Sequence, residues 1–213
     1  MYLILTASKD TYITDKIMYN EYSASNANVG RASTLDLFRL YDESFLSGVN
    51  KTNELSRALI KFDYSRINTL TKTTLNLNHS SFKCELRLFD IIGGQVTPKD
   101  FNLIVFPLSQ SFDEGIGTNV ISFSDLDTAN FVTASYSNST NNTWYASGAD
   151  SQGVIDTTSP TGYPASLDII ISGNLNDGDG SKGLGVVQNF PEGSENLKMD
   201  VTTIVSATIA GIL

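Results

Sequence analysis

The 213-residue chain carries 14 basic and 23 acidic side chains, a formal net charge of −9. An acidic surface repels phosphate backbones, so nucleic acid is not expected as a partner. Cys84 is the only cysteine, which excludes an intrachain disulfide, and no stretch approaches the roughly 20 apolar residues of a membrane helix. The first ten residues lack the basic and long apolar segments of a secretory signal. We therefore expect a soluble protein that is made in the cytoplasm and does not contact membranes.

The residue types favour strands over helices. Gly, Ser, Thr and Asn are abundant, helix-forming residues are sparse, and no repeat of fixed period is visible. No Pro- or Gly-rich linker divides the chain, and β-sandwiches commonly reach this length as one unit. We predict an all-β fold: an antiparallel two-sheet β-sandwich, jelly-roll-like, with one or two short helices including a C-terminal helix. It is expected to form a single domain over residues 1–213.

The first half of the chain is predicted to form four strands, at residues 2–7, 11–17, 34–40 and 56–65. The last of these is the most regular, because Ala58, Ile60 and Phe62 alternate with Leu59 and two charged residues. Side chains of a strand point to opposite faces with period two, so Ala58, Ile60 and Phe62 are expected to face the core. In the strand at 34–40, Leu35 and Leu37 are expected to face it too.

The second half is predicted to form strands at 82–92, 103–108, 167–172 and 184–188. In the first of these, four apolar residues are expected to face inward: Phe82, Cys84, Leu86 and Leu88. Pro107 indicates a strand end or sheet edge at 103–108. One or two helical turns are expected at 124–130, capped by Ser124 or Asp125. A final helix is expected after Asp200, with apolar residues at helical spacing from Val201 to Ile212.

Four stretches are predicted to be long loops, at about residues 18–33, 42–55, 135–164 and 173–183. They are rich in Asn, Ser and Gly, residues that are typical of turns and irregular surface segments. Gly30 is expected to supply a positive φ in the first loop.

No arrangement of residues predicts catalysis. His79 is the only histidine and lies between Asn78 and Ser80, in a stretch typical of an exposed turn, so the usual serine or cysteine triads are excluded. The adjacent acids Asp113 and Glu114, and the pair Asp125 and Asp127, are candidate carboxylates for a glycosidase or lyase. Acids in polar turns are more often solvated surface. We therefore predict a protein that is not an enzyme and needs no cofactor.

Calcium is the one metal that the sequence brings into consideration. Asp177 and Asp179 lie in the run Asn176-Asp177-Gly178-Asp179-Gly180, and Ca²⁺ prefers several oxygen ligands on a flexible loop. The run lacks the ligand spacing of an EF-hand, and the same residues are ordinary turn formers. We expect no bound metal. If a metal is bound, Asp177 and Asp179 are the candidate ligands.

Trp144 and Tyr145 admit two interpretations. Exposed rings here could stack on sugar rings, whereas a half-buried tryptophan would close the edge of a sandwich. We favour packing for Trp144. The tyrosines of the long loops, Tyr19, Tyr22, Tyr136 and Tyr145, are candidate contact residues because protein interfaces concentrate aromatic side chains.

Several motifs together resemble one family. In chain order they are Asp10-Thr11-Tyr12-Ile13, Asn28-Val29-Gly30, Leu35-Asp36-Leu37, Arg57 to Asp63, Leu86-Arg87-Leu88-Phe89, Phe112-Asp113-Glu114-Gly115, Trp144 before Ser147-Gly148-Ala149, and Met199-Asp200-Val201-Thr202. This order is similar to that of the DNRLRE family, β-sandwich domains related to disaggregatase and to alginate-binding carbohydrate-binding modules. The resemblance implies a sandwich with a packed Trp segment and a strand-to-helix step. It also implies a closing strand after the helix, which would come from further chain or from a partner.

The opening LILTASKDTYITDK is similar to that of structural proteins of marine bacteriophage virions. This resemblance implies a non-enzymatic head decoration, neck or tail component, assembled in the host cytoplasm and located in the virion. Its partners would be other virion proteins and copies of itself in a homo-oligomer. The alternative is a carbohydrate-binding module, on a host-recognition fibre or in a polysaccharide-degrading enzyme, with Trp144 and the tyrosines as glycan contacts.

Overall fold

The structure is a computed structural model and describes residues 2–19, 21–41, 52–91, 97–121, 123–156, 166–174 and 181–213. The strands are β1 (Ala7–Thr14), β2 (Ile17–Met18), β3 (Tyr22–Ser23), β4 (Arg39–Tyr41), β5 (Thr52–Phe62), β6 (Glu85–Leu88), β7 (Phe101–Val105), β8 (Thr133–Ser137), β9 (Thr140–Thr143), β10 (Gln152–Asp156), β11 (Ile169–Asn174), β12 (Ser181–Gly183), β13 (Val186–Phe190) and β14 (Leu197–Asp200). The helices are α1 (Ser65–Thr71) and α2 (Thr202–Ile209). The predicted all-β, sandwich-like fold with a C-terminal helix is confirmed, and most strand pairs are antiparallel.

The chain divides into two compact units. Unit 1 comprises Met1–Asp63 and Gln110–Ser151, and unit 2 comprises Tyr64–Ser109 and Gln152–Leu213. Each unit is therefore built from two segments that are far apart in sequence. No linker composition marks such a division, because the chain crosses between units in ordinary strand and turn sequence. The prediction of a single domain stays a prediction.

In unit 1, β5 lies between β1 and β4 in an antiparallel sheet. Leu59 of β5 is buried opposite the buried Thr11 of β1, whereas Ala58, Ile60 and Phe62 are only partly buried. The strand at 56–65 was thus predicted correctly and its inward face wrongly. The reason lies in β1, whose last four residues, from Thr11 to Thr14, are all buried. Both faces of this sheet are covered there, so alternation in the sequence does not reveal which face is inside.

The strand predicted at 2–7 is wrong, whereas most of the one predicted at 11–17 is present, with residues 11–14 in β1 and Ile17 in β2. From residue 2 onward no strand precedes Ala7, and Tyr2 and Ile4 are exposed. The predicted strand at 34–40 is reduced to β4, with Leu37 exposed and Leu35 partly buried. A strand needs a partner for its backbone groups, and the ladder of β4 to β5 pairs only residues 39–41.

The segment expected to be a loop at 18–33 contributes to the core of unit 1. Asn28 is fully buried, and its Nδ2 donates to the carbonyl oxygens of Glu114 and Ala129, each at 2.8 Å. Its Oδ1 accepts from the backbone N–H groups of Gly30 at 3.2 Å and Gly117 at 2.8 Å. The side-chain amide thus uses both donors and both lone pairs. It joins three stretches of chain, of which the first and the last are about a hundred residues apart in sequence.

Glycine is required at this junction because the backbones approach closely. A Cβ on Gly30 would lie 1.9 Å from the carbonyl oxygen of Glu114, and one on Gly117 would lie 1.9 Å from that of Asn28. The expectation of a positive φ at Gly30 is wrong. Glycine is required there because a side chain would have no space. In the Phe112–Gly115 turn the positive φ, 79°, belongs to Gly115.

Unit 2 contains an apolar core between two antiparallel strand pairs, β6 with β14 and β7 with β13. Its buried members are Phe190, Leu197, Met199, Val201 and Val205. Cys84, Leu86 and Leu88 pack against this core, which confirms the inward face predicted for them. The strand predicted at 82–92 is reduced to β6, and Phe82 lies outside it and is partly buried. The Phe101 and Phe190 rings stack with their centroids 5.0 Å apart and an interplanar angle of 2°. A second cluster joins Ile155, Ile170, Leu184 and Ala207.

The helices were predicted with mixed success. The C-terminal helix is present as α2; Val201 is its N-cap, and the carboxylate of Asp200 accepts the N–H of Thr202 at 2.9 Å. The hydrogen bond with the Thr202 hydroxyl, and secondly this backbone contact, lower the pKa of Asp200. Helix α1 was missed, since no side chain caps it and Ile67 is its one buried residue. Residues 124–130 form turns instead of a helix, with Asp125 at a φ of 58°.

The other predicted loops are partly regular structure. The segment 135–164 holds most of β8 and all of β9 and β10, and its residues 157–164 lie outside the described residues. β10 pairs with β11 in parallel, and β11 pairs with β12. In the loop predicted at 42–55, residues 52–55 belong to β5 and the rest lies outside the described residues. Residues 175–180 of the loop at 173–183 lie outside them too.

Asn28→Ala is expected to lower the free energy of unfolding by at least about 3 kcal/mol. The substitution leaves two buried N–H groups and two carbonyl oxygens without their partner, and each such group costs about 1–3 kcal/mol. Urea unfolding followed by circular dichroism measures the loss. Asn26→Ala, at an exposed position in the same segment, serves as the control and should change stability by about 0.5 kcal/mol or less. Equal small losses in the two variants would contradict the role given to Asn28.

Candidate functional site

Strands β8 and β9 form a hairpin in unit 1 that presents polar side chains. Ser137 pairs with Thr140, so Asn138 and Ser139 are the two residues of the turn. Their φ values are 51° and 62°, and two successive positive φ angles are what a type I′ hairpin turn requires. Asn at the first position tolerates this conformation. The hairpin is therefore specified by its own turn residues.

An open groove of about 580 Å³ lies beside this hairpin. Tyr136 and Tyr145 line it and are 46% and 57% exposed. The amide of Asn142, also in the lining, donates to Ser135 Oγ at 3.2 Å and to Ser137 Oγ at 2.8 Å. The groove thus combines two exposed aromatic rings with hydroxyl and amide groups in fixed positions.

Asp113, the carboxylate of the groove, is held on both sides. Its Oδ1 lies 3.2 Å from Lys9 Nζ in an ion pair, and its Oδ2 accepts the backbone N–H of Tyr136 at 3.1 Å. The neighbouring Glu114 accepts the N–H of Asp10 through Oε1 at 2.8 Å. Burial, and secondly the charge of Glu114, raise the pKa of Asp10. The candidate acids Asp113 and Glu114 therefore connect their turn to β8 and β1 through backbone N–H groups of those strands.

The remaining candidates for chemistry lie in turns. Asp125 Oδ2 accepts the N–H of Ile116 at 2.8 Å, and Asp127 is exposed in a turn. His79 Nδ1 lies 2.7 Å from Ser81 Oγ in an exposed turn, as the sequence predicted for this stretch. The partners of Asp125 and His79 are thus structural groups close to them in sequence.

Trp144 packs inside unit 1. Its side chain is 4% exposed, and its Nε1–H donates to the carbonyl oxygen of Asn130 at 2.8 Å. Asn130 is itself buried, and its Oδ1 accepts from the N–H groups of Val132 at 2.8 Å and Thr133 at 2.7 Å. The packing interpretation of Trp144 is confirmed. The buried ring offers no face to a sugar or a partner, so Trp144 is removed from the contact candidates.

The other tyrosine candidates form a second group. The ring centroids of Tyr19 and Tyr22 are 6.4 Å apart, and those of Tyr22 and Phe123 are 5.4 Å apart. The structure thus brings Tyr136 and Tyr145 to one groove and places Tyr19 beside Tyr22. Sequence reasoning missed Phe123, because a contact across about a hundred residues leaves no local pattern.

The described residues form neither a metal cluster nor a membrane span. Within the described ranges, no three His, Cys, Asp or Glu side chains come close enough together to hold a metal ion. Asp177 and Asp179, the calcium candidates, lie outside those ranges. Neither described helix is long and apolar enough to span a membrane.

Comparison of the chain with protein-family models, with curated proteins and with solved structures finds no match. The resemblance to the DNRLRE family stays a prediction.

Trp144→Ala is expected to lower the free energy of unfolding by about 3–5 kcal/mol, because it opens a cavity and leaves the Asn130 carbonyl without a donor. Tyr145→Ala, the neighbouring but exposed aromatic, should cost about 0.5 kcal/mol or less. Chemical unfolding of both variants measures the difference. A Trp144 variant as stable as the Tyr145 variant would contradict the packing role.

Proposed function

We propose that the chain is a non-enzymatic structural protein of a bacteriophage virion, a head decoration, neck or tail component assembled in the host cytoplasm. It acts through contacts with other virion proteins and with copies of itself. The observation that carries the proposal is a set of large apolar side chains that regular strands turn toward solvent. The sequence resemblance at the start of the chain supplies the link to virions.

The sheet of β7 and β13 gives the clearest case. Ile104 and Val187 are cross-strand partners and are 52% and 56% exposed. Their neighbours Leu103 and Val105 face the core of unit 2, so the register of the strands is fixed by packing. After β6, Phe89 and Ile91 are exposed as well. Exposed apolar side chains that adjoin one another are typical of surfaces that contact other proteins.

Proteins that repeat in a particle by symmetry commonly contact their own copies. The Ile104–Val187 pair is a suitable centre for such a contact, since interface centres are apolar and depleted of charge. Asn102 and Asn189 continue the same outward face, where the Asn189 amide donates to Asn102 Oδ1 at 3.2 Å. The face therefore has an apolar part and an ordered polar part.

Light scattering over a range of concentrations tests the self-contact. We expect an oligomer, and Ile104→Asp should raise its dissociation constant about tenfold or more, because a charge would enter an apolar contact. Asn102→Asp adds the same charge on the same face and retains the acceptor used by Asn189, so it should have little effect.

Mass spectrometry of purified phage particles tests the location. A chain that is monomeric throughout and missing from the particles would contradict the proposal.

A second candidate function, carbohydrate binding, is favoured by the groove at the β8–β9 hairpin. Sugars present apolar ring faces together with many hydroxyl groups, and the groove offers the exposed rings of Tyr136 and Tyr145 beside the amide of Asn142. The ion pair with Lys9 compensates the charge of Asp113 in the lining. Such a site would serve a host-recognition fibre or a module of a polysaccharide-degrading enzyme.

A glycan array followed by titration calorimetry with alginate and with neutral polysaccharides tests this candidate. Tyr136→Ala and Tyr145→Ala should each weaken binding by roughly three- to tenfold, the loss expected from one aromatic contact. Tyr19→Ala, an exposed tyrosine outside the groove, should bind as the wild type does. Absence of binding to every glycan, or equal affinity in all three variants, would count against a sugar site here.

A further inference from the structure

Three aromatic side chains of unit 1, Tyr19, Tyr22 and Phe123, form an aromatic cluster at its surface. Tyr19 directly follows β2, and Tyr22 is the first residue of β3. Met18 pairs with Tyr22 in this β2–β3 hairpin. Phe123 comes from a distant part of the chain and meets Tyr22 at a centroid distance of 5.4 Å and an angle of 52°. Tyr19 is 67% exposed, whereas Tyr22 and Phe123 are partly buried. The cluster therefore has a ring at the surface and two partly buried rings behind it.

Two members of the aromatic cluster have unfavourable backbone conformations. The φ angle is 56° at Tyr19 and 43° at Phe123. Bulky side chains rarely adopt this left-handed region, whereas Gly and Asn adopt it readily. Such residues concentrate at ligand clamps and other functional positions. At Tyr19, whose side chain is 67% exposed, packing offsets little of this cost, so the aromatic ring there needs another explanation.

The surroundings of the cluster are acidic. Glu21 is exposed in the turn between Tyr19 and Tyr22, where its N–H donates to the carbonyl oxygen of Met18. The carboxylate of Glu54 accepts the N–H of Ile17 at 3.0 Å, at the start of the same hairpin. Asp15 lies at its base and accepts the Ser23 hydroxyl through its carbonyl oxygen at 2.9 Å.

Two basic residues adjoin these three acidic ones: Lys16 in the hairpin sequence, and Arg39 of β4, which pairs with Leu55 beside Glu54. The Lys16 ammonium lies 5.6 Å from the centroid of the Phe38 ring, a ring outside the aromatic cluster. The local balance therefore remains negative, as does the whole chain at −9. A second copy of the same face would carry the same charge and be repelled, whereas a cationic partner would be attracted.

We propose that the aromatic cluster docks a cationic segment of a partner protein, through arginine or lysine side chains placed over the rings of Tyr19 and Tyr22. Guanidinium and ammonium groups are attracted to tyrosine faces, and the carboxylates of Glu21 and Glu54 complete the charge complement. The inference rests on the proposed contact function and names the chemistry of one partner. The strained backbone at Tyr19 then serves to expose that ring to the partner.

The test uses a fluorescently labelled peptide of alternating arginine and glycine, with binding to the full chain followed by anisotropy. Tyr19→Asn should weaken binding roughly two- to fivefold, the range for an exposed cation–π contact. Its midpoint of thermal unfolding should stay equal or rise, because Asn accepts a positive φ. A purely structural role for the ring predicts the opposite change in stability. Glu21→Gln should weaken binding and reduce its dependence on salt.

Tyr2→Asn is the matched control, a fully exposed tyrosine outside the cluster, and should bind the peptide as the wild type does. The proposal is overturned if Tyr19→Asn binds with unchanged affinity, since net charge alone would then attract the peptide. It is also overturned if Tyr19→Asn loses both binding and stability. The oligomeric state and the presence in phage particles are measured separately, so failure here and failure of the proposed function are distinguishable.

Discussion

The side-chain amide of Asn28 is the constraint on which unit 1 depends. It donates to the carbonyl oxygens of Glu114, within the Phe112–Gly115 turn, and of Ala129, and it accepts the N–H of Gly117, which follows that turn. From that turn the Asp113 N–H donates to the carbonyl oxygen of Ala134, at 3.0 Å, and so positions β8. The groove beside the β8–β9 hairpin is therefore positioned through a chain of hydrogen bonds that begins at one buried amide. A site placed in this way is rigid as long as every member of the network is satisfied.

Among the described residues, unit 1 buries more polar side chains than unit 2 does, although both units bury apolar side chains. In unit 1, Asn28 and Asn130 are buried with their side-chain amides fully used, and Trp144 donates into the same network. No buried side-chain nitrogen or oxygen in the described ranges lacks a partner. Unit 2 contains a continuous apolar core around Phe190 and Met199. Directional hydrogen bonds specify one arrangement, whereas apolar burial tolerates several of similar energy. The contact candidates Tyr19, Tyr136 and Tyr145 all belong to the hydrogen-bonded unit.

What the sequence could predict follows from this difference. The inward face of Cys84, Leu86 and Leu88 was predicted, since that strand covers one face of an apolar core and alternates with period two. The inward face of β5 was not, because both faces of its sheet are covered. The role of Asn28 could not be predicted: a polar residue in an Asn- and Ser-rich stretch is typical of surface, and its partners are identified only by the fold. Trp144 was placed correctly, but Phe123 was missed because its contact with Tyr22 is non-local.

The alternation of the chain between units has a consequence for its synthesis. The partners of Asn28 lie 86 and 101 residues further along, so the N-terminal strands leave the ribosome long before those partners exist. Loop closure over such distances slows folding, and unpaired strands on a nascent chain are prone to aggregate. Translation must pass through the whole first segment of unit 2 before unit 1 can close. The negative charge of this chain would oppose aggregation of the incompletely folded nascent chains.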